Sequence, residues 1–245
     1  MEVGRSVILT PGNDAVDLRI AIPSNIVFCG ATGAGKSHAI QQCLLNQQHV
    51  FQGSFDCVDY CYGVWSDDYT KLQSMFPHGY LRLFDGIPTA MIEDPERFFA
   101  GTNQRAVIFD DLALELGGRK DNFIAKLFTK YGRHFRVTTA FVQHNVFEQF
   151  RGSKTLSLNT SYYFLFRLAR ARQQVSMLSQ QLFGNSAFLP SVYKQCVGDG
   201  SGTNRHGYLV VDNTQSLPSS YHVRTGVLNE SESPAFFVPA DGNDS

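Results

Sequence analysis

Between residues 23 and 228, short apolar runs alternate with segments whose apolar positions recur at helical spacing. The runs are rich in Val, Ile, Phe, Tyr and Cys, and they predict strands over 25–29, 57–62, 80–84, 106–110, 137–143, 162–166 and 207–211. Helices are expected over 36–47, 67–75, 94–100, 123–131 and 172–183. Strand–helix alternation of this kind implies an α/β fold, with a mostly parallel central sheet covered by helices on both faces. The stretches 198–202 and 214–220 read as turn-rich connectors rather than domain linkers. The expected layout is therefore an N-terminal lead-in over 1–22, one domain over 23–228 and a flexible acidic tail over 229–245, rich in Ser, Glu, Asp and Pro. There is no internal repeat.

Composition narrows this picture. The 245 residues are 43% hydrophobic and 18% charged, a charged share below the roughly 25% of an average soluble domain. A chain of this kind can bury a sizeable core, and collagenous, mucin-like and disulfide-dense classes are excluded. The formal net charge is −1, so no global basic field announces nucleic acid. The distribution is uneven, however. From Arg119 to Arg172, 11 basic residues face only Asp121 and Glu148, a local +9 against −10 elsewhere. Such a stretch can steer phosphate-bearing partners, and an ordinary solvated face is its competing reading.

The five cysteines form no CxxC pair, which fits buried free thiols in a reducing compartment; Cys57 and Cys61 read as strand packing rather than zinc ligands. No apolar run approaches the ~18 residues of a membrane span, and residues 1–10 lack a signal-peptide core. The expectation is a soluble, intracellular protein without a membrane partner.

The strongest local signal is Gly30-Ala31-Thr32-Gly33-Ala34-Gly35-Lys36-Ser37, which satisfies GxxxxGK[ST] between a short apolar strand and the start of a helix. Its glycines let the backbone approach anionic oxygens, and its amides converge at a helix N-terminus where the dipole favours negative charge. In that reading the loop binds a nucleoside triphosphate, Lys36 reaches the β- and γ-phosphates and the Ser37 hydroxyl ligates Mg²⁺. A chance glycine-rich turn is the alternative.

The run 105–111 supplies the complement, an apolar strand ending in two adjacent carboxylates. Alternation along a strand gives the two acids different jobs. Asp110 is expected to hold Mg²⁺ through water, and Asp111 to orient or deprotonate an attacking water. Two strands, each with its helix, between loop and acids exceed a minimal nucleotide-kinase core. Motor-type P-loop ATPases, with an extra strand between the loop strand and the acid strand, suit the order better. The next strand ends in Gln143-His144-Asn145, where a polar amide could contact both γ-phosphate and water, or simply cap the strand.

Beyond the loop, Tyr60-Cys-Tyr-Gly-Val-Trp65, Phe84-Asp-Gly-Ile-Pro88, Phe109-Asp-Asp-Leu112, Gln143-His-Asn-Val-Phe147, Lys154-Thr-Leu-Ser-Leu-Asn159, the basic segment from Phe166 through Arg170 to Gln174, Gly207-Tyr-Leu-Val-Val-Asp212 and Tyr221-His-Val-Arg-Thr225 form an ordered set. That set resembles the HerA–FtsK superfamily, and more narrowly the poxvirus-type genome-packaging ATPases of large DNA viruses and Polinton-like elements. The resemblance implies a RecA-like (ASCE) P-loop NTPase that assembles as a homo-oligomeric ring and drives double-stranded DNA into a preformed capsid. ATP and Mg²⁺ are the implied cofactors, and a capsid protein or portal-like vertex the implied docking partner. The setting would be the host nucleus, a cytoplasmic virus assembly site or the virion.

Carried over by position, Lys36 and Ser37 serve phosphate and Mg²⁺, Asp110 serves Mg²⁺ and Asp111 activates water. Asp111 stands where many members carry glutamate, one methylene longer. His144 falls on the usual sensor glutamine in an ungapped comparison, but Gln143 is preferred because an amide both donates and accepts. An arginine from a neighbouring subunit would meet transition-state charge, with Arg170, Arg151 and Lys154 as candidates, while Arg133 and Arg136 would face DNA phosphates. The rivals are a nucleoside or nucleotide kinase, a scaffold that uses nucleotide only to assemble, and a related DNA pump unconnected with capsids.

Overall fold

Each of the seven runs picked out by apolar patterning is a strand in the computed structural model, which describes residues 4–7, 16–112, 119–147, 153–168, 170–198 and 207–239. The strands are β1 (Gly4–Val7), β2 (Asn25–Cys29), β3 (Cys57–Tyr62), β4 (Leu81–Asp85), β5 (Arg105–Asp110), β6 (Val137–Gln143), β7 (Tyr162–Leu165), β8 (Leu209–Asp212), β9 (Val223–Thr225) and β10 (Ala235–Pro239). The helices are α1 (Lys36–Leu45), α2 (Gln47–Val50), α3 (Asp67–Ser74), α4 (Thr89–Glu93), α5 (Pro95–Phe99), α6 (Arg119–Lys126), α7 (Gly132–His134), α8 (Ser153–Leu158), α9 (Ala171–Phe183) and α10 (Phe188–Cys196). A π-helical turn, Leu127–Tyr131, joins α6 to α7.

The ten strands of the described residues form one sheet in the order β1-β10-β9-β8-β7-β2-β6-β5-β3-β4. From β4 to β7 the pairings are parallel, and from β7 to β1 they are antiparallel. Strand β6 lies between the loop strand β2 and the acid strand β5, the order expected of a motor-type ATPase.

Strand β2 shows why these runs are unbroken. Ile26 and Phe28 join the core under α1, with Ala39, Ile40, Val58 and Ile108. Val27 and Cys29 join the opposite core, with Val107, Phe109, Phe141 and residues of α6, α9 and α10. With helices on both faces, period-two alternation has no polar side to report.

The segments expected to be a lead-in and a flexible tail each contribute a strand. Within 229–245, Phe236 and Phe237 are buried, and β10 pairs with both β9 and β1. Two adjacent aromatics supply the apolar surface that the surrounding Ser, Glu and Asp conceal in a composition average.

A buried ion pair ties these outer strands to the rest of the sheet. Arg224 of β9, 1% exposed, places Nη1 3.2 Å from Asp212 Oδ2, and Asp212 is fully buried. Arg224 also donates to the Tyr221 carbonyl at 2.7 Å and the Leu18 carbonyl at 3.2 Å. Asp212→Ala would leave the guanidinium charge buried without its counter-ion. It is expected to cost about 3–5 kcal/mol, read as a lowered urea midpoint at unchanged slope.

Candidate functional site

The parallel strands β2, β5, β6 and β7 bring their carboxyl ends to one edge, and the segments that follow them meet there. The chain leaves β2 through Gly30, whose N–H donates to the Gln143 carbonyl at 3.1 Å, while Ala31 donates to the Arg167 carbonyl at 2.7 Å. A Cβ on residue 30 would sit 2.6 Å from Phe166 Cβ, so only glycine lets the loop start this close to the segment after β7. Gly35 then takes φ 102°, a left-handed conformation that turns the chain into α1. The first turn of α1 carries no acidic side chain, so the positive end of the helix dipole faces the loop unopposed.

Within the loop, Ala34 is buried, Thr32, Gly33 and Ser37 are exposed, and Ala31 is half-buried. The Lys36 side chain is 8% exposed and folds over the loop, donating to the Gly30 carbonyl at 2.7 Å and the Ala31 carbonyl at 3.1 Å. An ammonium bound by carbonyls at the mouth of an amide-lined turn is placed to exchange those partners for anionic oxygens.

The two acids at the end of β5 part company. Asp110 is 7% exposed, and its Oδ2 accepts from Tyr60 at 2.6 Å and Tyr69 at 3.1 Å. Burial raises its carboxyl pKa, while the two hydroxyl donors act in the lowering direction. Tyr60 and Tyr69 are themselves pushed up, first by burial and then by the Asp110 charge, so both remain donors. Asp111 turns out of the strand at φ 58° and is half-exposed. Its Oδ1 lies 2.7 Å from His144 Nε2.

The structure therefore joins Asp111 to His144, the residue ranked second as sensor on sequence. Gln143, ranked first, is placed otherwise. It is buried and shares a sheet face with its register partner Cys29, opposite to α1, and its amide donates to the Val146 carbonyl at 3.2 Å. Its amide is thus engaged on the face opposite α1, and His144 is the one of the two that touches Asp111. Gln174 of α9 went unread as a site residue, yet it accepts from Val146 N–H at 2.8 Å and donates to Asn145 at 3.1 Å, fastening the segment that carries His144.

The basic residues divide between the two ends of the sheet. Arg167, Arg170 at the start of α9 and Lys154 on α8 are exposed at or after the carboxyl ends of β6 and β7. Arg133 and Arg136 are exposed before β6, at the far end from the loop. Arg151 lies outside the described residues. These described basic residues of the +9 stretch thus lie at two ends of the sheet rather than one.

Among the described residues, no three His, Cys, Asp or Glu side chains cluster as a metal site. The donors near the loop are the Ser37 hydroxyl and the Asp110 carboxylate, hard oxygens few in number. That set fits Mg²⁺, which keeps waters and takes its remaining ligands from phosphate. Among the described residues, no helix is long and apolar enough to cross a membrane.

No family model and no curated protein matches the sequence. Solved structures do match, and with the sheet order above they define the fold as an α/β, RecA-like P-loop ATPase fold. B204, the DNA-packaging ATPase from Sulfolobus turreted icosahedral virus, aligns with a TM-score of 0.54 and 11% identity over 80% of this chain and 95% of its own. The genome packaging NTPase B204 from Sulfolobus turreted icosahedral virus 2, in complex with AMP, aligns at 0.48 and 10% identity over 82% of this chain and 96% of that one. EssC (ATPases 2 and 3) from Geobacillus thermodenitrificans aligns at 0.48 and 12% identity over 91% of this chain and 41% of that one.

Proposed function

We propose that this chain is an ATPase of the HerA–FtsK kind, working as a homo-oligomeric ring that packages double-stranded DNA into a preformed capsid of a virus or virus-like element. The observation that carries the reading is one edge of the sheet: Lys36 clasped over the Gly30–Ser37 loop, Asp110 and Asp111 at the end of β5 two strands away, and His144, after the intervening β6, paired with Asp111. The interposed β6 favours a motor-type ATPase over a nucleotide kinase. B204, a DNA-packaging ATPase that shares this fold, supports the packaging role.

In this reading the loop amides and Lys36 bind the triphosphate of ATP. Ser37 and Asp110 hold Mg²⁺, which when bound neutralises charge on the phosphate oxygens. Asp111 takes the proton of a water whose oxygen attacks the γ-phosphorus, the bond to the β,γ-bridging oxygen breaks, and ADP departs with the electron pair. His144 holds the Asp111 carboxylate in place. An arginine supplied by a neighbouring copy, with Arg170 first among the candidates, meets the developing charge. DNA contacts run to the backbone and carry no sequence information.

The test is the ATPase rate with and without long duplex DNA over a salt series. Hydrolysis is expected to rise with duplex, and the rise to fade by about 0.2 M salt as phosphate contacts are screened. A rate indifferent to DNA, or phosphate delivered to a small acceptor instead of water, would refute the translocase reading. Co-sedimentation with procapsids separates a packaging role from a DNA pump unconnected with capsids.

A further inference from the structure

Resting on the nucleotide reading above, we propose that Tyr60 and Tyr69 are positioning residues that pin one oxygen of Asp110 and so present the other to Mg²⁺. The two tyrosines come from different elements, Tyr60 from β3 and Tyr69 from α3. Both are buried, at 1% and 8% exposure, and their rings lie 5.0 Å apart. Both hydroxyls donate to the same atom, Asp110 Oδ2, at 2.6 and 3.1 Å.

Satisfying a buried carboxylate does not by itself demand this arrangement, since two donors could serve one oxygen each. Placing both on Oδ2 fills its lone pairs and fixes the rotation of the carboxylate about its last bond. Oδ1 is thereby the only carboxylate oxygen left for a further ligand, so the residue binds through one oxygen. A hard cation with strict octahedral demands loses affinity when such a ligand is free to rotate.

The support extends outward in layers. The Asp110 carbonyl accepts from Gly63 N–H at 2.9 Å, which fixes the backbone beneath the carboxylate. Tyr62 stacks on Tyr69 at 5.2 Å, and Trp65 meets the same ring at 6.0 Å. The aromatic run at the end of β3 is in this view the mount of the metal-binding carboxylate. A cavity of about 330 Å³ beside α1 is lined by Ser37, Tyr60 and Tyr69, so the hydroxyl assigned to the cation shares one space with both tyrosines.

Tyr60→Phe and Tyr69→Phe remove a hydroxyl each and keep the ring. The affinity for ATPγS is measured by calorimetry across a Mg²⁺ titration and in EDTA, with Tyr163→Phe as control. Tyr163 is equally buried, but its hydroxyl donates to the Ser157 carbonyl, away from Asp110. Tyr60→Phe is expected to raise the Mg²⁺ concentration for half-saturation by about tenfold or more. Tyr69→Phe, with the longer contact, should raise it by a smaller factor, and affinity in EDTA should be unchanged in both. Tyr163→Phe should move only the melting temperature.

A wild-type protein that gains affinity with Mg²⁺ alongside a Tyr60→Phe variant that gains the same would overturn the positioning role alone. Equal losses in EDTA and in Mg²⁺ would do so too, because they report a merely structural tyrosine. A wild type whose nucleotide affinity ignores Mg²⁺ overturns this role together with the metal assignment of Asp110. A wild type that binds no nucleotide overturns the reading on which both rest.

Discussion

Lys36→Ala is expected to lower ATP hydrolysis by about 10³-fold, the upper end of what removing a single preorganised donor costs, because this donor also carries full charge. The ammonium is almost wholly buried and already held by the Gly30 and Ala31 carbonyls, so little reorganisation separates it from a phosphate seated in the loop. Alanine is the best helix former at the first residue of α1, and far-UV circular dichroism should therefore be unchanged. Lys36→Arg is expected to fail as well. A planar guanidinium does not fit where a compact ammonium donates to two neighbouring carbonyls at 2.7 and 3.1 Å. Phosphate release by a correctly folded Lys36→Ala protein, within tenfold of wild type, would remove the loop as the seat of the chemistry.

The same loop shows what the sequence could and could not disclose. A phosphate loop is local: eight consecutive residues between a strand and a helix carry the whole signal. Strands β2, β3 and β6 begin and end where the apolar runs do, because both their faces are buried and a polar residue or glycine stands at or just beyond each limit. Strand β5 starts one residue earlier than its apolar run. Arg105 is 4% exposed there, with Asp59 and the Phe98 carbonyl as partners, and no local pattern announces a buried charge. Helix α10 was missed for a related reason. Pro190 looks like a breaker, but it lies in the first helical turn, where the missing N–H has no partner to lose.

At the site, what escaped was every relation between distant segments. Tyr60 and Tyr69 meet Asp110 through the β3–β5 register and the packing of α3, 50 and 41 residues away along the chain. Period two groups Gln143 with Phe141 on one face of β6, yet nothing local says that α1 covers the other. The placement of Gln143 and His144 relative to Asp111 rests on that long-range fact.

Asp111→Asn is expected to retain ATPγS binding and to lose hydrolysis by about 10²–10⁴-fold, the usual worth of a positioned proton acceptor. The substitution is unusually clean at this position. Residue 111 sits at φ 58°, and asparagine is among the few side chains that adopt this conformation readily, whereas alanine would add backbone strain to the loss of the carboxylate. The asparagine oxygen can also still accept from His144 Nε2, which lies 2.7 Å from the carboxylate now, so the pair keeps its geometry and loses only charge and proton affinity. A fall in the rate constant of the chemical step, measured by quenched flow at saturating ATP, would therefore report proton acceptance rather than misplacement. Turnover within tenfold of wild type would move that role off Asp111. His144 is the remaining titratable group of the pair at this edge, and His144→Ala would then be expected to show the loss that Asp111→Asn did not.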